Sequence, residues 1–233
     1  MSTRVSLQLR HYSTRIETRR QTIVMAASLA GMLGPVLFVG VLLALTALQY
    51  DFMVGIGWRP LADPAGAWPS GLALGPYGPL LDANFVTCGL LLMLFATGLH
   101  IGAEGSRGLE TGPALLFVAG TAMVLMCFET DPIHGVGPRS LHGLVHDAAF
   151  VLFVLAMLAA IFSLWPSFRK DLHWRGHARY TLATGMLAVL FLLLPGVAYY
   201  LFVVTLLAWI FVTARRLWAH PPTASSPRSR AEE

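Results

Sequence analysis

Apolar residues gather in six long runs along the chain, at about residues 22–48, 81–102, 113–128, 142–165, 180–194 and 197–218, with polar gaps between them. A helix needs roughly 17–25 predominantly apolar residues to cross a bilayer, and the runs approach or reach that length. The pattern predicts an all-α fold: a polytopic membrane protein built as a bundle of six transmembrane helices. Residues 1–21 then form a cytoplasmic basic arm, 22–218 the six-helix transmembrane domain and 219–233 a disordered cytoplasmic tail. The first run is too long for a signal-peptide core and no small-residue cleavage site follows it, so it reads as an uncleaved span. Gly31, Gly34 and Pro35 predict a kink near its middle.

Between the first two runs lies a Gly/Pro-rich loop, 49–80, carrying Tyr50, Trp58, Trp68 and Tyr77. Rings spaced in this way belong at a membrane–water interface, which places the loop over the outer mouth of the bundle. The second run opens on Asp82 and Asn84, where an acid complements a helix N-terminus and Asp82 reads as a cap.

Composition agrees with the pattern. Hydrophobic residues make up 56% of the 233, charged residues 12%, and mean hydropathy is +0.65, which leaves no stretch able to form a separate aqueous core. The net charge is +4, yet the basic residues sit in tails and loops beside the runs, so nothing calls for nucleic acid as a partner. With both termini cytoplasmic, fourteen of the sixteen Lys and Arg fall inside and only Arg59 and Arg139 outside. That bias sets the orientation and predicts a multi-pass protein of the inner (plasma) membrane. Cys88 and Cys127 both fall in apolar runs, where they act as small hydrophobes.

Candidate chemistry concentrates in one stretch, Glu129–Asp147, which holds three acids and three histidines between two spans. Ionisable groups at the edge of a membrane are costly, so such a cluster is a functional-site hypothesis. His142 and His146 stand one turn apart on one helical face, a spacing that suits two ligands of a zinc ion, with Asp131 and His134 reaching in from the loop. Asp131 and Asp147 are the candidates for a catalytic base. The competing reading is an Asp–His network that satisfies itself and the backbone of the loop. Three functions follow: an extracytoplasmic Asp/His pocket for a lipid or small-molecule ligand, a zinc-dependent hydrolase of a lipid or amide, or an accessory subunit of a larger membrane-protein complex.

Other chemistries are excluded. The one lysine, Lys170, lies in a loop and rules out a retinal Schiff base. His100 falls at the inner end of its span, far in depth from His142 and His146, which disfavours a bis-histidine haem. Met123, Met126 and Cys127 read as packing, not as a soft copper site. Neither Ser140 nor Ser70 stands in a nucleophile elbow.

With these residues in place, the chain resembles the bacterial and archaeal integral-membrane family called domain of unknown function 998. The likeness rests on Y-D-F at Tyr50, S-G-L-A-L-G-P-Y-G from Ser70 to Gly78, N-F at Asn84, F-E-T-D-P at Phe128 and S-L-H-G-L-V-H at Ser140. The resemblance implies six spans with an outer acid and histidine cluster, and no activity. In style the cluster is also similar to membrane hydrolases of the ceramidase and progestin-receptor-like type. Those carry their histidine pair on the last helix, whereas here it opens the fourth.

Overall fold

The computed structural model describes residues 2–58, 69–102, 110–132, 138–172, 174–194 and 197–219, with side chains from Ile16 onward. Among them all regular structure is helical: α1 (Ser2–Leu48), α2 (Tyr50–Gly55), a 3-10 helix (Pro69–Leu74), α3 (Gly78–Gly102), α4 (Thr111–Leu125), α5 (Leu141–Lys170), α6 (Arg175–Leu193) and α7 (Ala198–Ala219). Five of these are long and apolar enough to cross a membrane, beginning with Ile16–Leu48 of α1, and α4 is a shorter apolar helix. Leu33, Leu43, Leu90, Leu155, Leu190 and Val204 stand exposed on the outer faces, an apolar surface that only lipid can cover.

Helices α1 and α3 to α7 form a closed ring. Each packs on its neighbour in the chain, and α7 returns to α1. Small residues make the close crossings feasible, as membrane helices without a hydrophobic driving force require. A Cβ on Gly89 of α3 would stand 2.6 Å from the Gly120 carbonyl of α4, and one on Gly31 of α1 would stand 2.7 Å from Ala214 of α7. Polar side chains add hydrogen bonds across α1 and α3, where Asn84 donates to the Phe38 carbonyl and the Cys88 thiol to that of Gly34. Both cysteines are free.

One half of the ring, the end remote from the 129–147 segment, holds a core of Phe95, Phe168, Trp209, Leu217 and their neighbours. A second core lies at the opposite end, where Met53, Trp58, Leu72 and Ala73 of the 49–80 loop pack onto Leu45, Leu81, Phe85, Met123 and Met126. The described parts of the loop, 49–58 and 69–80, therefore fold over one mouth of the bundle. Gln49 fastens it: its side chain is buried, donates to the Leu72 carbonyl and accepts from the Tyr77 amide. Trp58 is buried in this core instead of standing at an interface, while Tyr50 and Tyr77 remain exposed. Trp68 lies outside the described residues.

Three boundaries differ from the expectation. α1 runs from Ser2 without interruption, so the basic arm and first span share one helix, and it passes through Pro35. α5 passes through Pro166 and ends at Lys170, with Arg169 and Lys170 in its last turn. α3 starts at Gly78, a full turn before Asp82, so Asp82 is no cap; its Oδ1 is buried with no hydrogen-bond partner among the described residues. The tail from 220 and the Pro195–Gly196 turn lie outside the described residues.

Candidate functional site

The short α4 shapes the site. Its 15 residues rise only about 22 Å, less than the ~30 Å hydrocarbon core. Its last carbonyls and the irregular backbone after them therefore need partners from protein, since lipid offers none. His146 supplies them. It sits in the second turn of α5, is 5% exposed, and its Nδ1 lies 2.9 Å from the carbonyl oxygens of both Met126 and Phe128. Two acceptors at one nitrogen mean that Nδ1 carries the proton and donates to both. In the neutral imidazole this tautomer keeps the lone pair at Nε2.

The other end of the same segment is pinned by the start of α5. Ser140 caps that helix by accepting from the Gly143 amide at 2.9 Å. The Ser140 amide in turn donates to the two carboxylate oxygens of Asp131, at 3.3 and 3.1 Å. Gly143 is required here, because a Cβ would stand 2.2 Å from Asp131 Oδ2. Replacing Gly143 with alanine is expected to push Asp131 off the helix start and lower the melting temperature by several degrees, since a cap contributes about 1 kcal/mol. A thermal melt of purified protein reads this directly, and an unchanged midpoint would mean the carboxylate is not seated there.

The remaining predicted residues take separate positions. Asp147 pairs with Arg139, both substantially exposed. His142 is exposed and lies against the Phe128 ring, 5.7 Å between centroids, while His146 is buried and stands edge-on to Phe85 at 6.0 Å. Asp131, His142, His146 and Asp147 thus satisfy the backbone, Arg139 and an aromatic ring instead of one another. Among the described residues no three His, Cys, Asp or Glu side chains come together as a metal site. His134, the fourth of the metal candidates, lies outside the described residues.

Beside this polar segment opens a cavity of about 1150 Å³. Its walls come from the halves of α1, α5 and α7 nearest the 49–80 loop, with Phe38, Leu42, Phe150, Tyr199, Tyr200 and Val203 among them. Asp131, Arg139, His146 and Asp147 also line it. Leu43, Val151 and Val204 of the wall are each more than half exposed, so the space is not sealed inside the ring. Asp82 lies within electrostatic reach of His146 and Glu129, which adds a carboxylate behind the polar segment.

Two features escaped sequence reasoning. Gln49 gives no signal by itself, because one glutamine at a run's end reads as its boundary. His177, near the inner end of α6, is buried, bonds Thr213 at 2.9 Å and stands edge-on to Trp174. It packs at the end of the core remote from the 129–147 segment and does not line the cavity.

A family model described as Protein of unknown function (DUF998) matches residues 32–216 of the chain. No curated protein and no solved structure matches it.

Proposed function

Since the chain belongs to the DUF998 family, whose description carries no activity, we propose from the site itself that it binds an amphipathic, lipid-like ligand in the outer half of its helix ring. The cavity is the observation that carries this reading. Ligand sites are concave, mostly apolar and furnished with a few convergent polar groups, and their usual range is about 300–1,000 Å³. Here aromatic and aliphatic walls meet Asp131, Arg139, His146 and Asp147 at one end. An extended acyl or alkyl chain suits the walls and a polar head suits the end.

In this reading α4 completes six crossings as the short member, both termini face the cytoplasm, and the polar end opens outside the plasma membrane. The Lys and Arg distribution supports that orientation. The ligand reading is favoured over a zinc hydrolase because, among the described residues, no three His, Cys, Asp or Glu side chains converge to hold the ion.

Filling the cavity tests it. Val203→Trp adds an indole to the wall without touching the polar residues. Protein purified in mild detergent and examined by native mass spectrometry is expected to carry close to one amphiphile per chain, falling at least about fivefold in Val203→Trp. Equal amounts on both proteins would overturn the proposal.

A further inference from the structure

The polar end of the cavity also selects its head group. We infer that the site takes an amphiphile whose head is cationic or donates hydrogen bonds, and rejects an anionic head. This rests on the ligand reading above and sharpens it.

Four ionisable side chains line that end, Asp131, Arg139, His146 and Asp147, with the hydroxyls of Ser70 and Thr130 beside them, and three of the four offer negative charge or a lone pair. Asp131 accepts one amide through its two oxygens, leaving further acceptor capacity on both. Asp147 is a second carboxylate. His146, nineteen-twentieths buried, uses Nδ1–H on the α4 carbonyls, so the neutral imidazole accepts at Nε2, which has no partner among the described residues. The single cation, Arg139, is already paired with Asp147. Behind the lining, Asp82 and Glu129 add negative charge within electrostatic reach of each other.

The sequence carries the same asymmetry. Six of twelve acids, Asp51, Asp63, Asp82, Glu129, Asp131 and Asp147, fall on the side assigned to the exterior, against two of sixteen basic residues. An anionic head would enter a negative field and meet acceptors where it needs donors. An ammonium or hydroxyl head meets complementary groups, and unlike charge is a strong basis for discrimination. The fixed tautomer of His146 makes the preference a built feature of the site, separate from the bulk charge of the loops.

The test uses three probes with one tail: dodecylammonium, dodecanol and dodecyl sulfate, below micellar concentration. The full chain is held in nanodiscs of zwitterionic phosphatidylcholine. Only binding that Val203→Trp removes is counted, which cancels partition into lipid. Dodecylammonium is expected to bind at least about tenfold more tightly than dodecyl sulfate, with dodecanol between. The paired change Asp131→Asn, Asp147→Asn, which leaves Arg139 as the uncompensated charge of the lining, is expected to erase or reverse that order. Equal or tighter binding of the sulfate by the native chain would overturn the head-group inference and leave the cavity reading standing. So would an order that the paired change does not alter. If none of the three probes binds above the Val203→Trp level, the cavity reading falls with it.

Discussion

Leucine in place of Gly89 is expected to prevent a stable fold. The Cβ alone would stand 2.6 Å from the Gly120 carbonyl, 2.7 Å from a Val124 methyl and 2.9 Å from the Val124 amide nitrogen. Two of those three atoms are backbone, so α3 and α4 must separate, and the Gly120 side is equally tight because its own Cβ would meet the Gly89 carbonyl at 2.8 Å. Overpacking of a well-fitted core costs about 1–3 kcal/mol before any contact is lost. Here the helices also give up the close approach on which association in lipid depends. A drop of at least about 10 °C in the melting temperature, or loss of monodisperse protein on size-exclusion chromatography, is the expected result. Gly40 of α1 is the control: nothing lies within 4 Å of its would-be Cβ, so Gly40→Ala is expected to leave the midpoint unchanged or slightly raised. Equal tolerance at both positions would refute the α3–α4 packing.

His146→Ala comes second in size. It strips the donor from the carbonyls of Met126 and Phe128, and each buried group left unsatisfied costs about 1–3 kcal/mol. The short α4 has no further turn with which to absorb the loss. A fall of roughly 3 kcal/mol, or about 6–12 °C, is expected on a thermal melt. His146→Asn separates the causes, since its amide nitrogen can reach the place of Nδ1 but nothing replaces Nε2. It is expected to recover about half the stability while weakening retention of the bound amphiphile. Full loss in His146→Asn together with unchanged ligand retention would mean the ring acts by bulk alone.

How much of this could be read in the chain is set by the range of each interaction. The runs were legible because membrane burial needs contiguous apolar residues, and the loop over the mouth because its aromatics and glycines suit an interface. The Ser140 region was legible as a helix start crowded with ionisable groups. Its internal geometry was not. His142 and His146 share a face by periodicity, yet they take different partners: His142 lies against the Phe128 ring in the open, and His146 is buried against Phe85 and the Met126 and Phe128 carbonyls. Periodicity also cannot show that Asp82 lies a turn inside its helix, because Gly78 and Pro79 read as loop while forming its first turn. Pro166 reads as a stop but is carried within α5, as membrane helices permit when neighbours satisfy the freed backbone. The cavity was beyond reach. Phe150, Tyr199 and Val203 look like ordinary core, and only the spacing of α1, α5 and α7 in the outer half turns them into walls.

The account depends on the segment between α4 and α5 facing away from the cytoplasm, with the cavity opening on that side. Leu141, 74% exposed at the start of α5, and Leu172, 78% exposed beyond its end, bracket that helix. Single cysteines at each, in a Cys88→Ala, Cys127→Ala background, can be offered a membrane-impermeant thiol reagent on intact cells. Leu141→Cys is expected to label at once and Leu172→Cys only after permeabilisation. Labelling of Leu172→Cys with protection of Leu141→Cys would invert the molecule and contradict the placement of the site.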